Sequence, residues 1–193
     1  MNILIDDVNN VVAERIKIPF NTDFRYSIMF ELLMQDTSLS DEEKILTALQ
    51  IYYPEFNKIT DFQKAMLDIM WFYGGGKEDG TIENKRKTVS RERVNQIYSY
   101  EFDADYIYSA FLDQYNINLQ KDMLHWWEFR ALFQGLKDDN KIVEIMGYRG
   151  LDLSKIKDKE EKARYKRLKK IYALPDMRTQ EQKDADFAAA FLN

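Results

Sequence analysis

The chain has 193 residues, of which 45% are hydrophobic and 32% are charged, with a formal net charge of −5. These proportions are typical of one globular domain with extensions, and they argue against two full domains or a disordered chain. Net acidity opposes a surface that attracts nucleic acid or membrane as a whole, and the absence of cysteine excludes disulfides, thiolate nucleophiles and cysteine metal sites.

The amino-terminal residues differ in pattern from the rest of the chain. Ile3-Leu4-Ile5 and the alternating Arg15-Ile16-Lys17-Ile18 resemble short strands, and Pro19 ends the second. The pattern favours a small β-hairpin within residues 1–21, packed on a larger body because an isolated hairpin is marginal. The segment carries no basic region of a secretory signal, and no run of 18 apolar residues follows anywhere, so neither export nor membrane insertion is expected.

Three amphipathic helices are predicted between residues 22 and 76. Thr22 is a candidate N-cap for the first, and two Ser/Thr-x-x-Glu/Gln capping boxes, at Ser40 and Thr60, open the others. The 3.6-residue period predicts a polar stripe on the first helix and an apolar stripe on the third. The polar stripe consists of Ser27, Glu31 and Gln35. The apolar stripe consists of Phe62, Ala65, Met66, Ile69 and Tyr73. Short connections between such helices are typical of an antiparallel bundle.

Residues 74–95 are predicted to form a flexible loop, because glycine and charged residues dominate. The three glycines at 74–76 can supply the left-handed residue that ends a helix. The basic residues of 85–93 suggest a phosphate or nucleic-acid contact, but no aromatic residues are interleaved for base stacking, which favours a solvated loop.

Helical patterns return after residue 97. Asp103 is a candidate cap for one helix, and Leu124–Leu136 is apolar around most of its circumference, which predicts a central helix surrounded by others. Asp138 or Asp139 begins a short helix, and Asp158 begins a strongly basic one that continues to about Ala173. The whole pattern predicts an all-α bundle of about seven to eight helices. Residues 1–175 form the domain, and 176–193 form an amphipathic extension.

Two segments are candidates for binding a partner. In the basic helix a narrow apolar stripe of Tyr165, Leu168 and Tyr172 could dock the helix along the bundle or bind another protein. In the extension, Phe187 and Phe191 recur at i, i+4, and this segment either folds back or inserts into a groove of a partner.

The sequence lacks the residues of a conventional active site. His125 is the only histidine, and with no cysteine and no second histidine neither a triad nor the usual zinc site can be assembled. It is predicted to be packed on an apolar stripe with one hydrogen bond, and Trp126 and Trp127 are predicted to be buried rather than exposed for binding. Two acidic pairs, at residues 103/105 and 138/139, are interpreted as helix starts. We therefore predict no catalytic residue, metal or cofactor.

Several blocks of the chain resemble a known family. NTDFRYSIMFELLMQD, DADYIYSAFLDQYNINL, LHWWEFRALFQGL and EIMGYRGLDLSKIKDKEEKARYKRLKKIYALP are similar to the bacteriophage gene product fifteen proteins, encoded in the tail modules of siphophages and prophages of Gram-positive bacteria. The resemblance marks a signature core of Leu124, His125, Trp126, Trp127, Phe129, Arg130, Gly147, Tyr148 and Arg149.

This resemblance implies a function in tail assembly. Such proteins are similar in helical character and gene position to tail assembly chaperones, which implies a non-enzymatic chaperone or adaptor in the cytoplasm of the bacterial host. The implied partners are the tape measure protein and tail-tube or other tail proteins, and a homo-oligomer is left open. A structural connector retained in the virion is the first alternative, and a nucleic-acid-binding protein that uses 85–93 and 162–170 is the second.

Overall fold

The computed structural model describes residues 2–77 and 96–175, and all regular secondary structure in these ranges is helical. The described ranges contain eight α-helices and two 3₁₀ turns, Phe56–Lys58 and Leu153–Lys155. The helices are α1 (Val8–Arg15), α2 (Phe24–Gln35), α3 (Asp41–Tyr52), α4 (Phe62–Tyr73), α5 (Ala104–Tyr115), α6 (Trp126–Gln134), α7 (Lys141–Gly150) and α8 (Lys159–Ile171). The predicted all-α fold is confirmed. Most of the predicted loop and the extension 176–193 lie outside the described residues.

The predicted amino-terminal hairpin is wrong. Residues 3–5 lie in a turn, where the Ile5 N–H donates to the Asn2 carbonyl at 3.0 Å, and Arg15 is the last residue of α1. The Asp7 carboxylate caps α1 by accepting hydrogen bonds from the Asn9 and Asn10 N–H groups. This cap favours a helix over a strand. The Arg15 guanidinium then pairs with the buried carboxylate of Asp68 in α4 at 2.9 Å, which fixes α1 against the bundle.

The buried ring of Phe129 contacts both of two groups of helices. In the first group α2 packs on α3 and α3 on α4, and in the second α7 packs on both α5 and α8. Helix α6 packs on α2 and lies between the groups. The ring of Phe129 in α6 stacks on Phe24 of α2 at 4.7 Å between centroids and on Phe111 of α5 at 4.9 Å. Helix α6 is therefore central, as predicted.

Three helices begin one or two residues later than predicted. A carboxylate caps an exposed helix end as well as a hydroxyl does, and an aspartate immediately follows each predicted threonine cap. The Asp23 carboxylate accepts from the Arg25 N–H at 3.0 Å, and α7 begins after Asn140. The N-caps observed are Asp23, Asp61 and Asn140, in place of Thr22, Thr60 and Asp138 or Asp139.

The polar stripe predicted for α2 does not face solvent throughout. Ser27 is fully buried and its hydroxyl lies 2.8 Å from the Tyr52 hydroxyl of α3, whereas Met29 is exposed. A small hydroxyl residue fits where two helices approach closely, and a buried tyrosine hydroxyl needs a hydrogen-bond partner. Ser27 is therefore buried, although its side chain is polar, because its hydroxyl forms a hydrogen bond with the Tyr52 hydroxyl.

Candidate functional site

The signature segment Leu124–Leu136 forms a shorter helix than predicted. Helix α6 begins at Trp126, after an isolated antiparallel bridge with the residues that precede α2. The Phe24 N–H donates to the Leu124 carbonyl at 2.9 Å, and the Trp126 N–H donates to the Thr22 carbonyl at 2.9 Å. The bridge places the first turns of α2 and α6 side by side.

His125 is the N-cap of α6 and does not lie within the helix, so its predicted place on a helical stripe is wrong. Its Nδ1 accepts from the Trp127 N–H at 3.1 Å, and the Glu128 carboxylate accepts from the His125 N–H at 3.1 Å. The ring is 7% exposed, and burial among Phe72 and Trp127 lowers the pKa of His125 to about 4. The predicted packing with one side-chain hydrogen bond is confirmed. The His-x-x-Glu spacing of a capping box was the overlooked signal.

Both signature tryptophans are buried, and their indole N–H groups donate to carbonyl oxygens at the carboxyl end of α4. Trp126 Nε1 donates to the Tyr73 carbonyl at 3.0 Å, and Trp127 Nε1 donates to the Phe72 carbonyl at 2.7 Å. Arg130 Nη1 also donates to the Tyr73 carbonyl, at 2.9 Å. The last carbonyls of a helix have no partner within the helix, and a cation is favourable at that end. These side chains therefore attach α6 to α4, and the predicted burial of the two tryptophans is confirmed.

The glycines after α4 make this attachment possible. Gly75 has φ +93°, a conformation that other residues rarely adopt, as the sequence predicted for this glycine run. A Cβ on Gly75 would lie 2.8 Å from Arg130 Nη1. A side chain at this position would therefore displace the guanidinium from the helix end.

The Gly147-Tyr148-Arg149 block makes a second attachment, through a buried ion pair. Arg149 Nη1 and Nη2 lie 2.5 and 2.9 Å from the two carboxylate oxygens of Asp103, and Nε donates to the Tyr172 carbonyl at 2.6 Å. Asp103 occupies the N-cap position of α5, but its side chain makes no capping hydrogen bond. The predicted capping role is wrong, because Arg149 and the Ser99 N–H bind this carboxylate instead.

The apolar stripe of α8 faces the body of the protein. Tyr148 lies 5.8 Å from Tyr172 and 6.4 Å from Tyr165 between ring centroids, and Leu168 is half-buried on the same side of α8. Of the residues predicted to bind a partner, Tyr165 and Tyr172 therefore contact the protein itself. Phe187 and Phe191 lie outside the described residues.

An apolar surface that the sequence reasoning missed lies on α4. Phe62, Leu67 and Met70 are 49%, 56% and 48% exposed, and Met66 is half-buried beside them. At about 100° per residue these four side chains, the apolar α4 face, cover an arc of about 140°. Phe62 was wrongly predicted to point inward. The signal was available, because α4 has more apolar residues than one buried face can hold.

Residues 2–77 and 96–175 contain neither a metal-binding cluster nor a membrane-spanning helix. Within these ranges no three His, Asp or Glu side chains are arranged to hold a metal ion. None of the described helices has both the length and the apolar character needed to cross a bilayer. The candidate functional features of the described residues are therefore the two attachments between helices and the surfaces that these attachments hold in place.

Comparison with known proteins gives one family. No curated protein and no solved structure matches the chain. The family model described as Bacteriophage Gp15 protein matches residues 4–174, and this range includes α1 to α8 and both signature blocks. Because the match covers most of the chain, the protein belongs to the Bacteriophage Gp15 protein family, a family of phage structural or morphogenesis proteins.

Proposed function

We propose that the protein is a non-enzymatic assembly chaperone or adaptor for the phage tail, which acts in the cytoplasm of the bacterial host and binds hydrophobic helical segments of the tape measure protein. The apolar α4 face is the observation that carries this proposal. Three of its four side chains are exposed, although the opposite face of α4, with Ala65, Ile69 and Phe72, is buried in the core. Tail-tube or other tail proteins are the remaining proposed partners.

The chemistry of the apolar α4 face suits a temporary contact with varied helices. Methionine side chains are unbranched and polarizable, so Met66 and Met70 can adapt to different apolar partners. Covering three half-exposed apolar side chains contributes only about 3 kcal/mol, before the entropy lost on association is subtracted. Such a surface favours weak, reversible binding of an amphipathic helix, as a chaperone requires.

Co-expression with the tape measure protein of the same phage tests the proposal. The full chain is expected to increase the soluble fraction of that protein and to co-purify with it. The variants Leu67→Lys and Met70→Lys should lose both effects, because they place a charge on the apolar α4 face. Gln134→Lys is the matched control, since Gln134 is an exposed polar residue of a different helix, α6, whereas every exposed polar residue next to Leu67 would lie on the tested face. Failure of the unchanged chain to solubilise or co-purify the tape measure protein would refute the proposal.

Mass spectrometry of purified phage particles separates the chaperone from a structural connector. An assembly chaperone should be absent from the finished tail, because it leaves when the tube subunits cover the tape measure protein. Stoichiometric presence in the particle would instead assign the protein to the virion and overturn the chaperone proposal.

A further inference from the structure

The outer side of α8 presents a dense row of cations. Its members are all exposed, and none forms an ion pair with another residue of the described ranges. At about 100° per residue they cover an arc of about 140° on the side opposite the stripe that contacts Tyr148. We name this set the basic α8 face: Lys159, Lys162, Lys166, Arg167 and Lys170.

Helix stability explains only part of this arrangement, since Lys170 lies in the last turn of α8, where the helix dipole favours positive charge. Lys159 and Lys162 lie near the amino end of α8, where the helix dipole disfavours positive charge. Like charges four residues apart, such as Lys162 and Lys166, also destabilise a helix. No residue of α8 is fully buried, so the helix adds little to the core in return.

The protein nevertheless holds α8 in a defined orientation. Arg149 donates to the Tyr172 carbonyl at its carboxyl end, and Lys169 Nζ donates to the Leu151 carbonyl at 2.9 Å. The rings of Tyr148 and Tyr172 stack at 5.8 Å between centroids. Burying the Arg149 guanidinium is costly unless it is fully paired, and its pairing with Asp103 compensates for that cost. A helix fixed in this way directs its cations outward.

We propose that the basic α8 face is a docking surface for an acidic, amphipathic helix of a protein partner. The lysines, from Lys159 to Lys170, span twelve residues, or about 16.5 Å of helix. Acidic residues spaced at i, i+4, i+7 and i+11 of a partner helix have the same rise. Ile171 is 58% exposed next to this face and offers an apolar contact. The proposal does not depend on the chaperone function, because it concerns a different helix from the apolar α4 face.

The same observations favour protein over nucleic acid. No aromatic side chain lies on the basic α8 face to stack on a base, since Tyr165 and Tyr172 are turned toward Tyr148. The net charge of −5 also opposes long-range attraction of a polyanion to the whole protein. A short acidic helix, by contrast, contacts only α8, so the positive charges of α8 are enough to attract it.

Fluorescence anisotropy with the full-length protein tests this docking. The probe is a labelled synthetic helix with glutamates at i, i+4, i+7 and i+11 and leucines beside them, and a sequence-scrambled peptide of the same composition is the comparison. We expect the probe to bind, and we expect its affinity to fall with added salt. Reversing three charges, with Lys162→Glu, Lys166→Glu and Lys170→Glu, should weaken binding at least about tenfold.

The matched control reverses three exposed lysines away from α8 and changes the net charge equally. It combines Lys17→Glu, Lys121→Glu and Lys137→Glu, and it should retain binding. Circular dichroism of both variants confirms that they fold. Equal losses in the two variants would show a general charge effect and overturn the proposal, as would the absence of probe binding.

Two further outcomes would assign a different occupant and overturn the proposal. Duplex DNA that binds more tightly than the acidic helix, and loses binding in the α8 variant, would assign the face to nucleic acid. Sedimentation that shows salt-sensitive self-association without the probe, lost in the same variant, would assign it to a second copy of this chain.

Discussion

Replacing His125 by asparagine is expected to reduce the loss of stability on acidification. In the folded protein burial lowers the pKa of His125 to about 4, from an ordinary value of 6.5 in the unfolded chain. Because Nδ1 accepts the Trp127 N–H, a proton added there would also remove the cap of α6. The positive end of the α6 dipole opposes an imidazolium in the same way.

The sign and size of the effect follow from these pKa values. Above pH 6.5 the ring is neutral in both states, and the full stability is present. As pH falls from 6.5 toward 4, the unfolded chain binds a proton that the folded protein does not, so the free energy of unfolding decreases. At about 1.4 kcal/mol per pH unit, this interval sets a ceiling of about 3.5 kcal/mol.

Urea denaturation at several pH values measures this difference. His125→Asn keeps an acceptor for the Trp127 N–H, because the asparagine amide oxygen is a preferred cap, but it cannot titrate. The variant is expected to be less stable at pH 7 through lost packing, and its curve should fall less steeply between pH 6.5 and 4. Hydrogen bonds lower the pKa values of Asp36, Glu43 and Asp152 in both proteins, so their contributions cancel in the comparison. Parallel curves would refute the reasoning.

Three substitutions at the helix attachments should also lower the free energy of unfolding, measured by urea denaturation at neutral pH. Arg149→Met leaves the buried Asp103 carboxylate without its partner and should cost about 3–5 kcal/mol, whereas the exposed Lys155→Met should cost less than about 1 kcal/mol. Trp127→Phe removes one of two donors to the Phe72 carbonyl, which keeps the Gly75 N–H, and should cost about 0.5–1.5 kcal/mol; a neutral result would exclude this hydrogen bond as a contribution. Gly75→Ala should cost about 1–3 kcal/mol through its positive φ, and a gain in stability would contradict the strain.

Local patterns in the sequence predicted where most helices lie. The Ser40 hydroxyl and the Glu43 carboxylate form the predicted capping box, and the Asp158 carboxylate accepts the Glu161 N–H as expected. The residues of such a capping signal lie within four positions of each other, so the signal can be recognised without knowledge of the fold. The prediction is wrong at residues 15–18, because a short alternation also occurs where a helix ends, and Arg15 is the last residue of α1.

Partners distant in the chain could not be predicted from the same patterns. Asp103 appeared to be a helix cap because nothing local indicates that Arg149, 46 residues later, binds its carboxylate. The two tryptophans were correctly predicted to be buried, but their hydrogen bonds to α4 depend on the packing of α6. The period of α4 did not reveal which of its two apolar sides would remain exposed. These features belong to the tertiary structure.

The two signature blocks share one physical role, and this role connects them to the proposed functions. Trp126, Trp127 and Arg130 bind the last carbonyls of α4, and Arg149 binds the Tyr172 carbonyl at the end of α8. These are the helices that carry the apolar α4 face and the basic α8 face. Substitutions in the signature blocks should therefore reduce stability and partner binding together, whereas substitutions on the two faces should reduce binding alone. The family signature, on this reasoning, supports the interaction surfaces without contacting the partner.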